Sequence, residues 1–265
     1  MSDNTQFETL VNYISESDNI VFFGGAGVST ESGIPDFRSK DGLYNQRDVQ
    51  FEKYSPEYLL SHSCLRDNPK VFFEFYRQKL DTRGIEPNVA HKVIAKLEDM
   101  GKINGVVTQN IDGLHQLAGS KKVYEIHGTT HINYCMDCKR DMGEYYIFDA
   151  QKDGHLDEDG IPRCDKCGGV VRPYVTLYEE GLPDDAVNAA VNAISTADMI
   201  IIAGTSLNVY PAASYIRYFR GKHIVVLNRD KIGVDLNPET DMFIQGNMGD
   251  AFRYVDEAIS AGRLS

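Results

Sequence analysis

Four short, strongly apolar runs, separated by longer helical patterns, constrain the fold of this chain most. Each run is rich in β-branched or aliphatic residues and closes at Gly, Gln or Asn, as strands buried on both faces tend to do. Strands that alternate with helices predict βαβ units and a doubly wound parallel sheet of the Rossmann type, an α/β fold. The strands are predicted at 20–23, 106–108, 199–203 and 223–227, and the helices at 89–100, 186–196, 212–219 and 251–259.

Two segments interrupt the alternation and predict a smaller second domain. Residues 41–79 are helical in pattern and rich in Tyr and Phe, and residues 133–171 are rich in Gly and Asp and hold most of the cysteines. We expect these two insertions to pack together or over the edge of the sheet. The larger, Rossmann-type domain then comprises residues 1–40, 80–132 and 172–265.

Two CxxC pairs, Cys135–Cys138 and Cys164–Cys167, stand 25 residues apart. A two-residue gap lets both thiolates of a pair face one ion, and two such pairs complete a tetrahedral zinc site. Since protein ligands fill all four positions, the predicted zinc ion is structural, one per chain, and its binding supplies folding free energy to an otherwise weakly apolar segment. A redox-active pair is the alternative. We expect the fifth cysteine, Cys64, to be a small buried hydrophobe.

The charge and the hydropathy pattern exclude several classes of protein. Against 27 Lys and Arg stand 39 Asp and Glu, and the net charge of −12 argues against non-specific DNA binding. No stretch approaches the ~18 apolar residues of a membrane span, and the N-terminus lacks the basic and continuous apolar regions of a signal peptide. We therefore expect a cytoplasmic protein with reduced cysteines, with no membrane or nucleic-acid partner, and a monomer by default.

A glycine-rich loop follows the first predicted strand. Gly24-Gly25-Ala26-Gly27-Val28-Ser29 opens a candidate helix, where glycines let the backbone approach a pyrophosphate at the helix N-terminus. As a dinucleotide fingerprint the loop is incomplete, because Thr30 stands where GxGxxG has its third glycine.

A longer string sharpens the interpretation. Residues 25–38, GAGVSTESGIPDFR, resemble the GAGxSxxSGIPDFR signature of the sirtuins, the NAD-dependent protein lysine deacylases, in their bacterial type. Further blocks that resemble the family, in the family's order, are TQNIDGLH at 108–115, EIHG at 125–128, the four cysteines, GTSL at 204–207, VYPA at 209–212 and Asn228. The resemblance covers almost the whole chain.

The resemblance implies an enzyme that deacylates protein lysines and yields nicotinamide and O-acyl-ADP-ribose. In the family, the acyl oxygen of a modified lysine attacks C1′ of the nicotinamide ribose, and a histidine base then activates a ribose hydroxyl. His127 matches that catalytic base, and a neutral imidazole near pH 7 suits proton abstraction. His115 is the rival, but it lies in a helical pattern and we expect it to be packed.

The resemblance also assigns residues to NAD. Asn110 and Asp112 match the nicotinamide pocket, where a carboxamide needs both a donor and an acceptor, and Ile111 would form an apolar wall. Phe37 would shield the reactive ribose from water, and Arg38 would lie near phosphate. The predicted cofactor-binding residues are Gly25, Ala26, Gly27, Thr30, Asp36, Phe37, Arg38, Gln109, Asn110, Ile111, Asp112, Gly204, Thr205, Ser206, Asn228 and Met248.

The expected substrate strand departs from the family pattern. The family reads RPDVVxFGE and this chain reads RPYVTLYEE at 172–180, so Tyr174 replaces Asp and Glu179 replaces Gly. Val175 and Tyr178 remain predicted substrate contacts, because β-augmentation pairs backbone groups. Glu179 would favour basic flanks on the substrate or point to solvent.

The helix of the first insertion raises the question of acyl preference. Tyr76 and Lys79 align with the Tyr-x-x-Arg of desuccinylating and demalonylating sirtuins, with Lys in place of Arg. A lysine pairs with an acidic acyl group as a point charge but not bidentately. Tyr76 and Lys79 are therefore predicted substrate residues that tolerate acidic acyl groups. The alternative is a helix with Tyr76 in the core and Lys79 in water.

Other functions remain open beside deacylation of acylated-lysine proteins or peptides. ADP-ribosyl transfer to protein and NAD hydrolysis would use the same pocket with another acceptor. A non-catalytic NAD or ADP-ribose sensor would be expected to lack His127. A zinc-ribbon nucleic-acid binder fits poorly, because acidic residues offset the basic ones around the cysteines.

Overall fold

The computed structural model describes residues 3–37, 39, 42–43 and 50–264. In them the strands are β1 (Ile20–Gly24), β2 (Ile103–Thr108), β3 (Val123–Glu125), β4 (Gly128–Cys135), β5 (Val171–Val175), β6 (Met199–Ala203), β7 (His223–Asn228) and β8 (Met242–Gln245). The α-helices are α1 (Asp3–Glu16), α2 (Pro56–Leu59), α3 (His62–Asp67), α4 (Pro69–Lys79), α5 (Val89–Asp99), α6 (Leu114–Leu117), α7 (Tyr146–Asp149), α8 (Asp184–Thr196) and α9 (Met248–Ser260). Residues Ala26–Ser32 and Ala212–Tyr218 form 3-10 helices.

Six strands, all parallel, form the larger sheet in the order β3-β2-β1-β6-β7-β8. The chain enters at the centre with β1, builds one side with β2 and β3, and then crosses to the other side with β6. This is the predicted doubly wound α/β architecture, and its strand order reverses between β1 and β6.

The sheet is buried on both faces, and β1 shows why its sequence is a continuous apolar run. Ile20 and Phe22 join the core beneath α1, α5 and α9, whereas Val21 and Phe23 join the core on the opposite face, where α8 packs. Because successive side chains of a strand point to opposite faces, both sets must be apolar when helices cover both sides.

The two insertions share a core of their own. Phe72 and Phe75 of α4 pack with Ile147 of α7 and with Ile161 in the cysteine-rich segment. Strands β4 and β5 pair antiparallel beside this core. The residue boundaries proposed above for the two domains stay a prediction.

The elements differ from the predicted pattern at a few places. The edge strands β3 and β8 were missed, because three or four residues give too little periodicity to be recognised. The predicted helices at 26 and at 212–219 are 3-10 helices, whose apolar spacing resembles that of a short α-helix. Among the helices of the described residues, none is both long and apolar enough to cross a membrane.

Candidate active site

A cavity of about 650 Å³ opens at the carboxyl ends of β1, β2, β6 and β7. Gly25, Asn110, Gly204 and Asn228, each of which ends one of these strands or follows it within two residues, all line it. Its volume falls within the range of about 300–1,000 Å³ that is usual for small-molecule sites. The cavity lies where the strand order reverses, which is where open α/β sheets bind their ligands.

Most of the predicted site residues lie on the wall of this cavity. They are Gly25, Ala26, Gly27, Thr30, Asp36, Phe37, Gln109, Asn110, Ile111, His127, Val175, Tyr178, Gly204, Thr205, Ser206, Asn228 and Met248. Asp112, Tyr76 and Lys79 are not on the wall. Arg38 lies outside the described residues.

The glycine loop at 24–29 packs closely against the loop that follows β6. The N–H of Gly27 donates to the Gly204 oxygen at 2.8 Å, and that of Gly25 to the Ala203 oxygen at 3.1 Å. A Cβ on Gly25 would lie 2.8 Å from the Gly204 oxygen, and one on Gly27 would lie 2.7 Å from the Gly204 Cα. The sequence pointed to glycines that make room for phosphate. The structure adds that they let two loops of the cavity floor meet.

A hydrogen-bonded relay stands behind Asn110. The Nδ2 of Asn110 donates to the Ser29 hydroxyl at 3.0 Å, and that hydroxyl donates to Oδ2 of Asp112 at 2.6 Å. The other oxygen of Asp112 accepts the backbone N–H of Leu114 at 3.0 Å. With both oxygens engaged, Asp112 holds the Ser29 hydroxyl, which in turn fixes the orientation of the Asn110 amide on the cavity wall.

His127 lies on the cavity wall between β3 and β4. Its Nδ1 is 3.0 Å from the backbone oxygen of Gln109. A carbonyl only accepts, so in the neutral imidazole the proton sits on Nδ1 and Nε2 carries the lone pair. The rival His115 is packed as predicted: it is 1% exposed, its ring centroid is 4.7 Å from that of His91, and burial lowers its pKa well below the ordinary value.

Another part of the cavity wall is formed by the loops after β6 and β7 and by the start of α9. The Thr205 hydroxyl accepts from Nε2 of Gln109 at 3.0 Å, which joins the loops that follow β2 and β6. Asn228 closes β7, and its Nδ2 donates to the Asp230 oxygen at 2.8 Å. Met248 is the first residue of α9, which Asn247 caps. Thr205, Asn228 and Met248 all line the cavity.

The predicted substrate strand borders the cavity. Val175 lies opposite Gly128 in the β4–β5 pair, and the N–H of Thr176 donates to the His127 oxygen at 2.8 Å. Beyond β5, the backbone N–H of Tyr178 donates to the backbone oxygen of Leu60 at 3.0 Å. Tyr174, the first departure from the family pattern, is not on the cavity wall. It is 45% exposed, and the centroid of its ring lies 6.4 Å from that of Tyr134.

Glu179, the second departure, is engaged within the protein. Its backbone is left-handed, with φ of 75°, and its Oε2 accepts from the backbone N–H of Ser63 at 2.9 Å and from the Ser63 hydroxyl at 2.7 Å. These hydrogen bonds lower the pKa of Glu179. The carboxylate thus ties the end of the substrate strand to α3. Glu179 is also exposed and lines the cavity, so its facing basic substrate flanks or solvent stays a prediction.

Tyr76 occupies the core of the insertions. Its ring stacks between Phe72 and Phe148, its side chain is fully buried, and burial raises its pKa. Among the described residues, its hydroxyl has no hydrogen-bond partner. Recognition of acidic acyl groups by Tyr76 and Lys79 stays a prediction, and the position of Tyr76 favours the alternative of a core residue.

The four paired cysteines converge as a metal site requires. Their sulfur atoms all lie within 4.8 Å of one another, with Cys135–Cys167 at 3.4 Å and Cys138–Cys164 at 3.9 Å. Tetrahedral zinc with Zn–S bonds of about 2.3 Å places its sulfurs about 3.8 Å apart. Burial raises the pKa of Cys135, but hydrogen bonds from the backbone N–H groups of Cys138 and Asp137 and from the thiols of Cys167 and Cys138 together lower it to about 7. The cluster therefore fits one structural zinc ion.

The wall also fits the predicted dinucleotide. It offers the close backbone of a glycine loop, an oriented amide at Asn110 and hydroxyls at Thr205 and Ser206. Ser29 was missed as a functional residue, although it belongs to the GAGxS string. Its partner Asp112 is 83 residues away, and a contact of this kind has no local sequence signal.

Two comparisons at the level of sequence agree with this geometry. A model described as the Sir2 family matches residues 25–211. The NAD-dependent protein deacetylase of Clostridium acetobutylicum is 50% identical over 246 residues, which cover 93% of this chain and 96% of the relative. The protein of the same name from Cutibacterium acnes is 49% identical over 253 residues, which cover 95% and 98%.

Solved structures are similar over nearly the full length. One described as "Structural Basis for the Mechanism and Regulation of Sir2 Enzymes" aligns with a TM-score of 0.81 at 36% identity, covering 97% of this chain and 99% of the other. Another, "Sir2-p53 peptide-NAD+", aligns with a TM-score of 0.78 at 34% identity and covers 98% and 99%.

Proposed function

Because this chain belongs to the Sir2 family, we propose that it is an NAD-dependent protein lysine deacetylase that works in the cavity beside His127. The observation that carries the proposal is the placement of His127 on the cavity wall, with Nδ1 committed to the Gln109 carbonyl. That arrangement leaves Nε2 as the basic nitrogen, which is what a general base requires.

Bound NAD supplies an electrophilic ribose carbon, nicotinamide as its leaving group, and the ADP-ribose that accepts the acyl group. Asn110, oriented by Ser29 and Asp112, holds the carboxamide of nicotinamide. Phe37 covers the reacting ribose and keeps water from competing with the acyl-lysine. Thr205, Ser206 and Asn228, which also line the cavity, would hold the adenosine half.

His127 takes the proton from a ribose hydroxyl. The Gln109 carbonyl holds the proton on Nδ1 and fixes the ring, so Nε2 can accept a proton without any rearrangement of the imidazole. The Gln109 carbonyl then stabilises the imidazolium that forms, because it remains hydrogen-bonded to Nδ1–H.

The acyl-lysine peptide lies along the end of β5. Val175 and Tyr178 border the cavity, and backbone pairing there would place the modified lysine in the apolar part of the wall, which includes Leu60, Leu80 and Leu177. An apolar wall suits an acetyl group and tolerates longer aliphatic chains. The proposal takes acylated proteins as the partners of this site. It also includes a cytoplasmic location and a monomer as the working unit.

Nicotinamide release by purified protein tests the proposal. Release from NAD should require an acetyl-lysine peptide, and His127→Ala should lower the rate of deacetylation by at least about a hundredfold. NAD binding, measured by calorimetry, should persist in that variant. His155→Ala removes an imidazole that does not line the cavity and serves as the matched control. Succinyl- and longer-chain peptides assayed in parallel define the acyl preference.

Release that proceeds equally well without any acyl peptide would contradict deacetylation. It would instead indicate NAD hydrolysis or ADP-ribosyl transfer in the same cavity, and transfer would be recognised by ADP-ribose that stays attached to protein.

A further inference from the structure

His131, four residues after His127, touches the turn at 112–113, which directly follows the cavity-wall residues Asn110 and Ile111. It lies on β4, and its Nε2 is 2.9 Å from the backbone oxygen of Asp112. Its Nδ1 contacts the carboxylate of Glu144 from the other side. The ring also packs on Gly113, where a Cβ would lie 2.4 Å from Nε2. His131 therefore bridges the turn at 112–113 and the segment before α7.

Both ring nitrogens of His131 face oxygen acceptors, and this decides its protonation. A carbonyl and a carboxylate can only accept, so each needs an N–H from the ring. The imidazolium has two N–H groups and satisfies both partners, whereas the neutral ring has one and leaves a lone pair against an oxygen. The carboxylate is the stronger acceptor and retains the remaining proton on Nδ1, so the Asp112 carbonyl is the partner that is lost.

The charges around His131 support the cationic form. Glu144 contacts it directly, Glu125 on β3 acts over a longer distance, and Tyr145 lies with its ring centroid 6.2 Å away. The Asp112 carboxylate is directed to Ser29 and Leu114. Burial alone lowers the pKa of His131, but the Asp112 carbonyl and the Glu144 carboxylate raise it above the ordinary value of 6.5.

The turn that His131 holds is the one that orients the site. The Asp112 carboxylate accepts a hydrogen bond from the Ser29 hydroxyl, and that hydroxyl accepts one from the Asn110 amide. The neighbouring Thr130 adds two hydrogen bonds to the Ile111 oxygen, from its N–H at 3.0 Å and from its hydroxyl at 2.9 Å. Strand β4 thus docks on residues 111–113 through three hydrogen bonds, of which the one from His131 can be switched by a proton.

We propose that His131 is a positioning residue for the nicotinamide pocket: its imidazolium holds the Asp112–Gly113 turn, and loss of its proton releases the turn and weakens binding of the nicotinamide half of NAD. The inference rests on the proposed function, because it takes Asn110 to hold nicotinamide. It predicts a pH dependence that is separate from that of the base His127.

Two variants separate the proton from the hydrogen bond. In His131→Gln, an amide N–H takes the place of Nε2–H, so the bond to the Asp112 carbonyl is kept without a titratable group. In Glu144→Gln, the amide can donate to Nδ1 of the neutral ring, so the proton stays on Nε2 at high pH. Glu158→Gln removes a carboxylate from an exposed loop and is the matched control.

The experiment compares the dissociation constants of NAD and of ADP-ribose, which lacks nicotinamide, by calorimetry between pH 6 and pH 9. In the wild type and in Glu158→Gln, the affinity for NAD relative to ADP-ribose should fall about tenfold as pH rises through the pKa of His131, as expected for one charge-assisted hydrogen bond. In His131→Gln and Glu144→Gln this ratio should stay constant. Other titratable groups, such as His127, are present in all four proteins, so their effect on the pH dependence of the affinity ratio cancels in the comparison.

The titration of His131 itself, followed by NMR and assigned through its loss in His131→Gln, gives a readout that does not depend on ligand. Its midpoint should lie above 6.5 in the wild type and shift down in Glu144→Gln. A ratio that is flat in the wild type, or that changes alike in all four proteins, overturns the inference alone, because the proposed function is judged separately by nicotinamide release that requires an acetyl-lysine peptide. If neither NAD nor ADP-ribose binds, the proposed function fails and the inference fails with it.

Discussion

Gly128 lies so close to the backbone of Tyr174 that a Cβ atom on Gly128 would be 2.1 Å from the Tyr174 oxygen. Its φ is 73°, in the left-handed region that glycine adopts without strain. Gly128 directly follows His127 and begins β4, where it pairs with Val175. The contact therefore sets the distance between the candidate base and the strand proposed to bind the substrate.

Gly128→Ala should be strongly destabilising. The added methyl group would clash with backbone rather than with a flexible side chain, and the alanine would be strained in the left-handed backbone conformation. We therefore expect the free energy of unfolding to fall by about 3 kcal/mol or more. Urea unfolding followed by circular dichroism measures it. Gly143→Ala is the control, because its φ is 85° and its Cβ would have no atom of the described residues within 4 Å. Strain alone should lower its stability by about 1 kcal/mol. Equal effects of the two substitutions would contradict the role of the Tyr174 contact.

The sequence predicted the central strands and the position of the cavity, because buried parallel strands leave continuous apolar runs and their ends converge at one edge. Contacts between distant side chains could not be predicted in this way. The Ser29–Asp112 and Ser63–Glu179 hydrogen bonds join residues that are 83 and 116 positions apart, and the fold alone brings them together. The rotation of α4, which buries the Tyr76 hydroxyl, depends likewise on its packing against α7.

Arg172 and Glu180, at the two ends of the substrate segment 172–180, form a bidentate ion pair at 2.6 and 2.9 Å, and Arg172 is only 6% exposed. Burial raises the pKa of Glu180, but hydrogen bonds from Arg172, His62 and the Leu177 N–H outweigh it and bring the pKa to about 2. The folded-state pKa is thus below the ordinary 4.5. The stabilisation it brings is complete above about pH 4.5 and is lost as the pH falls towards 2.

Glu180→Gln should therefore lower the free energy of unfolding by about 3 kcal/mol at pH 7, because it leaves the buried Arg172 charge uncompensated. The difference from the wild type should shrink at pH 3, where the wild type has lost much of this stabilisation. Urea unfolding at both pH values provides the test, with Glu158→Gln on an exposed loop as the control. A difference that is as large at pH 3 as at pH 7 would argue against the ion pair as its source.

Removal of zinc should unfold the small module of the insertions. The purified protein should contain one zinc ion per chain, and chelation should expose residues 136–170 to proteolysis and abolish activity, because metal binding supplies the folding free energy of such a segment. Cys138→Ser, at an exposed ligand, should lower the zinc content. Cys64→Ala should retain one zinc ion, since Cys64 is a buried thiol in the core whose pKa burial raises to about 11. Activity and protease resistance that survive complete metal removal would exclude a structural role.

Tyr76→Phe distinguishes a core residue from an acyl-recognition residue. The Tyr76 hydroxyl is fully buried and finds no hydrogen-bond partner in the described part of the chain, so its removal should leave stability unchanged or raise it by up to about 1 kcal/mol. The ratio of desuccinylation to deacetylation rates should stay the same, because the hydroxyl does not reach the cavity wall. A hydroxyl that bound an acidic acyl group would instead lower desuccinylation selectively. Rates of wild type and variant on matched succinyl- and acetyl-lysine peptides decide between the two, with thermal unfolding as the check on stability.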